Sequence, residues 1–140
     1  MPELKGWSHI DLTVTDCDRP AAWWEDVLGF ASVSSSRGDT FETRSMIHAS
    51  GVVVTLMRHD ELVGGTQFDE RRIGLDHLAF EVGDEELQRW VEHLDTSGVA
   101  PVDIGWGPTV TFRDPDNIQL EFFVHPSAVD EVEPSTNTLS

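Results

Sequence analysis

The chain repeats itself. Gly6-Trp7-Ser8-His9-Ile10-Asp11-Leu12-Thr13-Val14-Thr15-Asp16 aligns with Gly74-Leu75-Asp76-His77-Leu78-Ala79-Phe80-Glu81-Val82-Gly83-Asp84, 68 residues later. Gly, His, Val and Asp recur in register, and the apolar alternation is the same. A second anchor aligns Val52-Val53-Val54-Thr55-Leu56-Met57-Arg58-His59 with Ile118-Gln119-Leu120-Glu121-Phe122-Phe123-Val124-His125, at an offset of 66. The two-residue difference is one small loop change. A repeat of this length implies two copies of one supersecondary unit that bury their faces together.

Each copy reads alike. Residues 7–15 alternate, with Ile10, Leu12 and Val14 on one face and His9, Asp11, Thr13 and Thr15 on the other. Asp16 and Asp18 suit a helix start and Pro20 its first turn. Ala22, Trp23, Val27 and Leu28 give a helical stripe, and Gly29 a stop. Strands are expected over 31–36, 41–49 and 52–59. The second copy predicts a strand over 75–82, a helix over 84–96 stopped by Gly98, and strands near 100–104, 108–113 and 117–124. Asp114-Pro115-Asp116-Asn117 is a turn between the last two. The fold class is therefore α+β, two paired βαβββ modules. The first spans 1–60 and the second 74–126. Residues 61–73, with Gly64-Gly65, form a linker. Residues 127–140, rich in Pro, Ser, Thr and acids, are expected to be a mobile tail.

Composition narrows the partners. Twenty-six acidic residues against nine basic ones give a net charge of −17. That field repels nucleic acid and anionic lipid. No stretch approaches a membrane-spanning length, and the N-terminus lacks the pattern of a secretory signal. Cys17 is the single cysteine, so no intramolecular disulfide can form, and a reducing cytoplasm fits.

The residues that can carry chemistry sit on the polar strand faces. His9 and His77 occupy equivalent places in the repeat. Glu121, between Leu120 and Phe122, is an odd choice for a face that is merely core. Under pseudo-symmetry His9, His77, Thr55 and Glu121 mark four equivalent corners of one cavity. Two imidazoles and a carboxylate are a divalent-metal set with positions left open for substrate or water. His48, His59, His93 and His125 have no matching constellation. Cys17, beside acids, is disfavoured as a thiolate nucleophile. Gly105-Trp106-Gly107-Pro108 reads as a turn, from which Trp106 could line a pocket. Arg113 stands before the Asp-Pro-Asp turn, where it could meet a substrate carboxylate or join a surface ion pair.

These motifs resemble the vicinal oxygen chelate superfamily, the glyoxalase/bleomycin resistance protein/dioxygenase family. The matching pieces are Gly6-x-x-His9 through Asp16, the helix Ala22-Trp23-Trp24-Glu25-Asp26-Val27-Leu28-Gly29-Phe30, Gly74-x-x-His77-x-Ala79-Phe80, and Asp114-Pro115-Asp116-Asn117-Ile118-Gln119-Leu120-Glu121. They cover residues 6 to about 126. Trp23-Trp24 stands where the family usually has Phe-Tyr. Asn117 stands where it often has Gly, and Asn accepts the left-handed turn conformation. The resemblance implies curled mixed sheets around a metal cavity, with a divalent ion (Fe, Mn, Ni, Co or Zn) on His9, His77 and Glu121. It further implies Lewis-acid catalysis on neighbouring substrate oxygens, and a homodimer.

Departures from the family narrow the reaction. Thr55 stands where glyoxalase I and methylmalonyl-CoA epimerase have Glu or Gln, which argues against both activities. Asp11 stands where the fosfomycin enzymes have Thr, and residues 102–108 hold no cation for a phosphonate. The chain has no tyrosine, which weakens ring cleavage of the extradiol type. The reading is a small metalloenzyme, dioxygenase-, lyase-, isomerase- or transferase-like, acting on a small organic substrate. Glu121 and Asp11 are its catalytic candidates, and Thr55, Trp106 and Arg113 its pocket candidates. The rival is a bleomycin-resistance-type protein that stacks a cationic aromatic drug among the five tryptophans. A third reading is a degenerate module with a structural metal.

Overall fold

The computed structural model describes residues 1–102 and 108–126. The order is β1 (Ile10–Thr13), α1 (Asp18–Leu28), β2 (Ala31–Arg37), β3 (Phe41–Ile47), β4 (Val53–His59), β5 (Leu78–Glu81), α2 (Asp84–Thr96), β6 (Thr109–Arg113) and β7 (Gln119–Phe123). The fold is α+β. The chain forms two compact units. One holds residues 1–76 and 113–119, the other residues 77–112 and the chain from 120. No helix among the described residues is long and apolar enough to cross a membrane.

In the first unit the sheet order is β1-β4-β3-β2, with β1 parallel to β4 and the other pairs antiparallel. Leu12, Met46, Val54 and Leu56 are buried from the strands, and Val14 just after β1. Pro20, Ala21, Trp24, Val27 and Leu28 are buried from α1. The helical stripe is thus Ala21 and Trp24, not Ala22 and Trp23. Positions 21, 24 and 28 follow the three-four spacing that one helix face requires, whereas 22 and 23 diverge from 27 and 28. Trp24 is completely buried, edge-on to Phe30 at 5.1 Å. The first strand is shorter than its alternation suggests. It is an edge strand, and ladder bonds define it only where β4 runs alongside, from Ile10↔Val54 to Thr13↔Met57. Cys17 is free and buried, and burial pushes its thiol pKa up.

In the second unit the order is β5-β7-β6, with β5 parallel to β7. Phe122 is the centre of its core. It packs on Trp90 of α2 at 4.5 Å, on Phe112 at 4.8 Å and on Phe80 at 6.4 Å. Leu94 and Leu120 are fully buried. The strand expected near 100–104 is represented by the Val102↔Thr111 bridge. Ala100 and Pro101 are not strand, the proline having no N–H to give a ladder, and 103–104, like Trp106 and the expected tail at 127–140, lie outside the described residues.

The Asp114-Pro115-Asp116-Asn117 turn belongs to the first unit. Asn117 has φ 68, the left-handed conformation that asparagine tolerates. The Asp114 carboxylate accepts the backbone N–H groups of Asp116 and Ile118, each at 2.9 Å, and the Trp24 indole N–H at 3.3 Å. Asp116 accepts the Thr15 hydroxyl at 2.8 Å and the Thr15 backbone N–H at 3.3 Å. The two carboxylates therefore tie the turn to α1 and to the end of the first strand.

Burial pushes the Asp114 carboxyl from 3.8 up to about 6, and the Asp116 charge adds to the shift against the opposing hydrogen bonds. The folded chain then holds a proton, between about pH 4 and 6, that the unfolded chain has released. Acidification through that window stabilises the fold, and the cost of the buried charge is fully present above about pH 6. From about pH 7 to about pH 4.5 the gain is about 2 kcal/mol. Asp114→Asn cannot ionise. Urea unfolding of both proteins at the two pH values should show wild type gaining that much relative to the variant. Equal pH dependence would contradict the assignment.

Candidate functional site

The registers of the two parallel pairs reproduce the sequence repeat. In the first unit Asp11 lies opposite Thr55, and in the second Ala79 lies opposite Glu121. Thr55 and Glu121 are thus structurally equivalent, as are the positions that precede β1 and β5, where His9 and His77 stand. Gly6 and Gly74, three residues before each histidine, both have positive φ, at 115° and 144°. Each strand is entered through a backbone conformation that residues with a Cβ rarely adopt.

In the second unit His77 and Glu121 come together. Their Nε2 and Oε2 atoms are 3.5 Å apart, with the Glu121 side chain 9% exposed and that of His77 38%. Glu121 has no arginine or lysine partner among the described residues. A carboxylate taken out of water without a fixed cation is costly. Burial follows from placement. Glu121 is in β7, the central strand, between the core residues Leu120 and Phe122.

Thr111 was not anticipated. The hydrogen bonds Asp114 N–H to Ile118 O and Val124 N–H to Pro108 O bracket the β6–β7 pair and set Thr111 opposite Glu121. Its hydroxyl is buried with no hydrogen-bond partner. Counting back across the Asp-Pro-Asp-Asn turn would have found it.

In the first unit His9 is half exposed. Its Nδ1 lies 2.9 Å from the Ser8 hydroxyl, and its Nε2 lies 3.5 Å from Asp11 Oδ1. Thr55 is buried and shares a hydrogen bond with the Ser45 hydroxyl at 3.2 Å. Asp11, Thr55 and Ser45 are cross-strand neighbours and share one face of the sheet. Arg113 is in a bidentate ion pair with Glu70. Among the described residues, no three His, Cys, Asp or Glu side chains gather closely enough to hold an ion. Within the first unit His9 faces Asp11, and within the second His77 faces Glu121. The donor chemistry of the second pair, an imidazole nitrogen facing a buried carboxylate oxygen, fits a divalent metal.

Comparison with known proteins agrees with this architecture. The fosfomycin resistance protein FosX of Listeria monocytogenes is 25% identical over 135 residues, covering 91% of this chain and 94% of the relative. The crystal structure of a glyoxylase/bleomycin resistance protein/dioxygenase domain from Frankia sp. EAN1pec is similar with a TM-score of 0.77 and 36% identity, over 90% of this chain and 96% of that one. The structure of Listeria monocytogenes FosX complexed with Mn(II) and sulfate ion has a TM-score of 0.67 at 22% identity, over 94% and 100% of the two chains. The family model of the Glyoxalase/Bleomycin resistance protein/Dioxygenase superfamily matches residues 6–122. With that span matched, and with the strand registers repeating as the sequence does, the chain belongs to the glyoxalase/bleomycin resistance protein/dioxygenase superfamily.

Proposed function

We propose that this chain is a metal-dependent enzyme in which His9, His77 and Glu121 hold one divalent ion that chelates two neighbouring oxygens of a small organic substrate. The observation that carries the reading is the buried Glu121 carboxylate, 3.5 Å from the His77 imidazole and without an arginine or lysine partner among the described residues. Two imidazoles and one carboxylate leave coordination positions free for substrate. The Mn(II) bound by FosX of Listeria monocytogenes supports a divalent ion.

A divalent ion at these ligands supplies Lewis-acid chemistry, drawing charge from the substrate oxygens. The chain's own residues do the rest. β5 and β7 fix the spacing of His77 and Glu121. Ser8 holds Nδ1 of His9 and so orients its Nε2. Asp11, beside that ring, is placed to take a proton from the substrate. Thr55, engaged with Ser45, shapes the wall and does not ionise. Arg113 is the remaining candidate for contact with the substrate. The reaction is of the lyase, isomerase, transferase or oxygen-dependent type, and the enzyme works in the cytoplasm as a homodimer. Leu4 and Trp7 precede His9, and Ile73 precedes His77. All three are almost fully exposed, and they are the apolar surface a second copy would cover.

A second reading, modification of fosfomycin, is favoured by the likeness to FosX across 91% of the chain. Asp11 opposes it, because a carboxylate 3.5 Å from His9 repels a phosphonate.

Thermal unfolding tests the reading. EDTA-stripped protein should gain roughly 5–10 °C in Tm on saturation with Mn(II). His9→Ala and His77→Ala should each abolish the gain, and a variant that kept it would remove that histidine from the ligand set. Fosfomycin incubated with the Mn(II)-loaded protein should be unchanged by 31P NMR, and its consumption would install the second reading. If wild type shows no gain, EDTA-insensitive quenching of tryptophan fluorescence by a cationic aromatic would favour drug sequestration instead.

A further inference from the structure

Arg113 ends β6, and its guanidinium is engaged on every side that the structure describes. Nη1 donates to Glu70 Oε2 at 2.9 Å and Nη2 to Glu70 Oε1 at 2.7 Å. Nη2 also donates to Gln119 Oε1 at 2.9 Å, and Nη1 to the Asn117 carbonyl at 3.1 Å. The Gln119 amide in turn donates to Asp76 at 3.2 Å. Gln119 and the Asn117 carbonyl hold the guanidinium plane still. The outward fork is presented to a carboxylate in the bidentate geometry that arginine makes with any free carboxylate.

Glu70, like the Asp60 that pairs with the strand arginines Arg37 and Arg58, is a partner from outside the sheet. It lies in a turn of the irregular segment between β4 and β5, outside any helix or strand. Its neighbours Asp69 and Arg71 pair with each other at 2.8 Å. The segment is stitched to the hairpin at Phe68, whose N–H bonds the Asp116 carbonyl and whose carbonyl accepts the Asn117 amide. The backbone is thus anchored two residues before Glu70. Arg113 holds the Glu70 carboxyl well below the usual carboxylate range, so the occupant of the fork is an anion at any ordinary pH.

The chain carries 26 acidic residues against nine basic. An anionic substrate would meet a repulsive field and would need one oriented cation to be retained. Arg113 is cross-strand to Gln119, as their side-chain bond records, and Gln119 shares its face of β7 with Glu121 by alternation.

We infer that Glu70 is a tethered stand-in for a substrate carboxylate, and that the substrate is a small carboxylic acid whose carboxylate displaces Glu70 from Arg113. The link from this seat to catalysis rests on the metal-centre reading. The seat itself does not, so it is tested with EDTA present.

The probe is sodium acetate, titrated at constant ionic strength into 15N-labelled protein while the arginine Nε–H signals are followed by NMR. Loss of one signal in Arg113→Lys identifies Arg113. In Glu70→Ala and in Glu70→Gln, acetate should move that signal at concentrations at least about tenfold lower than in wild type, as expected when an intramolecular competitor is removed. Acetamide should not move it. The inference is overturned if neither variant gains, if the other arginines respond equally, or if both variants lose cooperative unfolding, which would make Glu70 a strut. Failure of the metal centre would leave the acetate result standing. Failure here would leave metal content untouched.

Discussion

Trp24→Ala should lower stability by about 3–5 kcal/mol. Three effects coincide at this side chain. It is completely buried, so truncation leaves a cavity in the first unit. Its edge-on contacts with Phe30 at 5.1 Å and Trp23 at 6.2 Å disappear. The Asp114 carboxylate loses the indole N–H, so a buried charge keeps only its two backbone donors. Domains of this size are stable by about 5–15 kcal/mol, so the variant should melt roughly 10–20 °C lower. Trp24→Phe keeps most of the volume and forfeits the hydrogen bond. Its loss should be about 1–3 kcal/mol, and the difference between the two variants separates packing from the Asp114 contact. Differential scanning calorimetry checks both. A Trp24→Ala melt within about 3 °C of wild type would contradict the core described for the first unit.

Glu121 should behave in the opposite way, with little effect on stability and a large one on binding. Its carboxylate is buried without an arginine or lysine partner among the described residues, an arrangement that does not favour the apo fold. Glu121→Gln preserves volume and removes the charge, so the apo protein should hold its Tm to within about 1 kcal/mol equivalent. Metal affinity should fall by more than about 100-fold, since losing even an outer-sphere partner of a ligand costs 10–100-fold. A destabilised variant with unchanged affinity would make Glu121 a structural residue.

Much of this was legible in the sequence because the repeat is a statement about register. Offsets of 68 and 66 residues place His77 after His9 and Glu121 after Thr55. The two parallel strand pairs show that correspondence directly, with Asp11 opposite Thr55 and Ala79 opposite Glu121. The second helix runs from Asp84 to Thr96, the range expected with Gly98 as its stop. In the first helix Val27 and Leu28 are buried as expected, but in each preceding doublet the buried member is not the one expected. The doublets Ala21-Ala22 and Trp23-Trp24 offer two apolar choices each, and only the spacing to Val27 and Leu28 selects between them. The contacts that close the Asp114 turn were not legible. Trp24 and Asp114 are 90 residues apart, and Arg113 and Glu70 are 43 apart. No local periodicity encodes such pairs. Thr111 lay between these cases, readable only once the β6–β7 hairpin was paired.

The most direct measurement is the metal content of the untagged protein as purified, beside that of Glu121→Ala, by elemental analysis. The account predicts about one divalent ion per chain in wild type and none retained in the variant. Equal metal in the two, or none in wild type even after loading, would contradict the proposed centre.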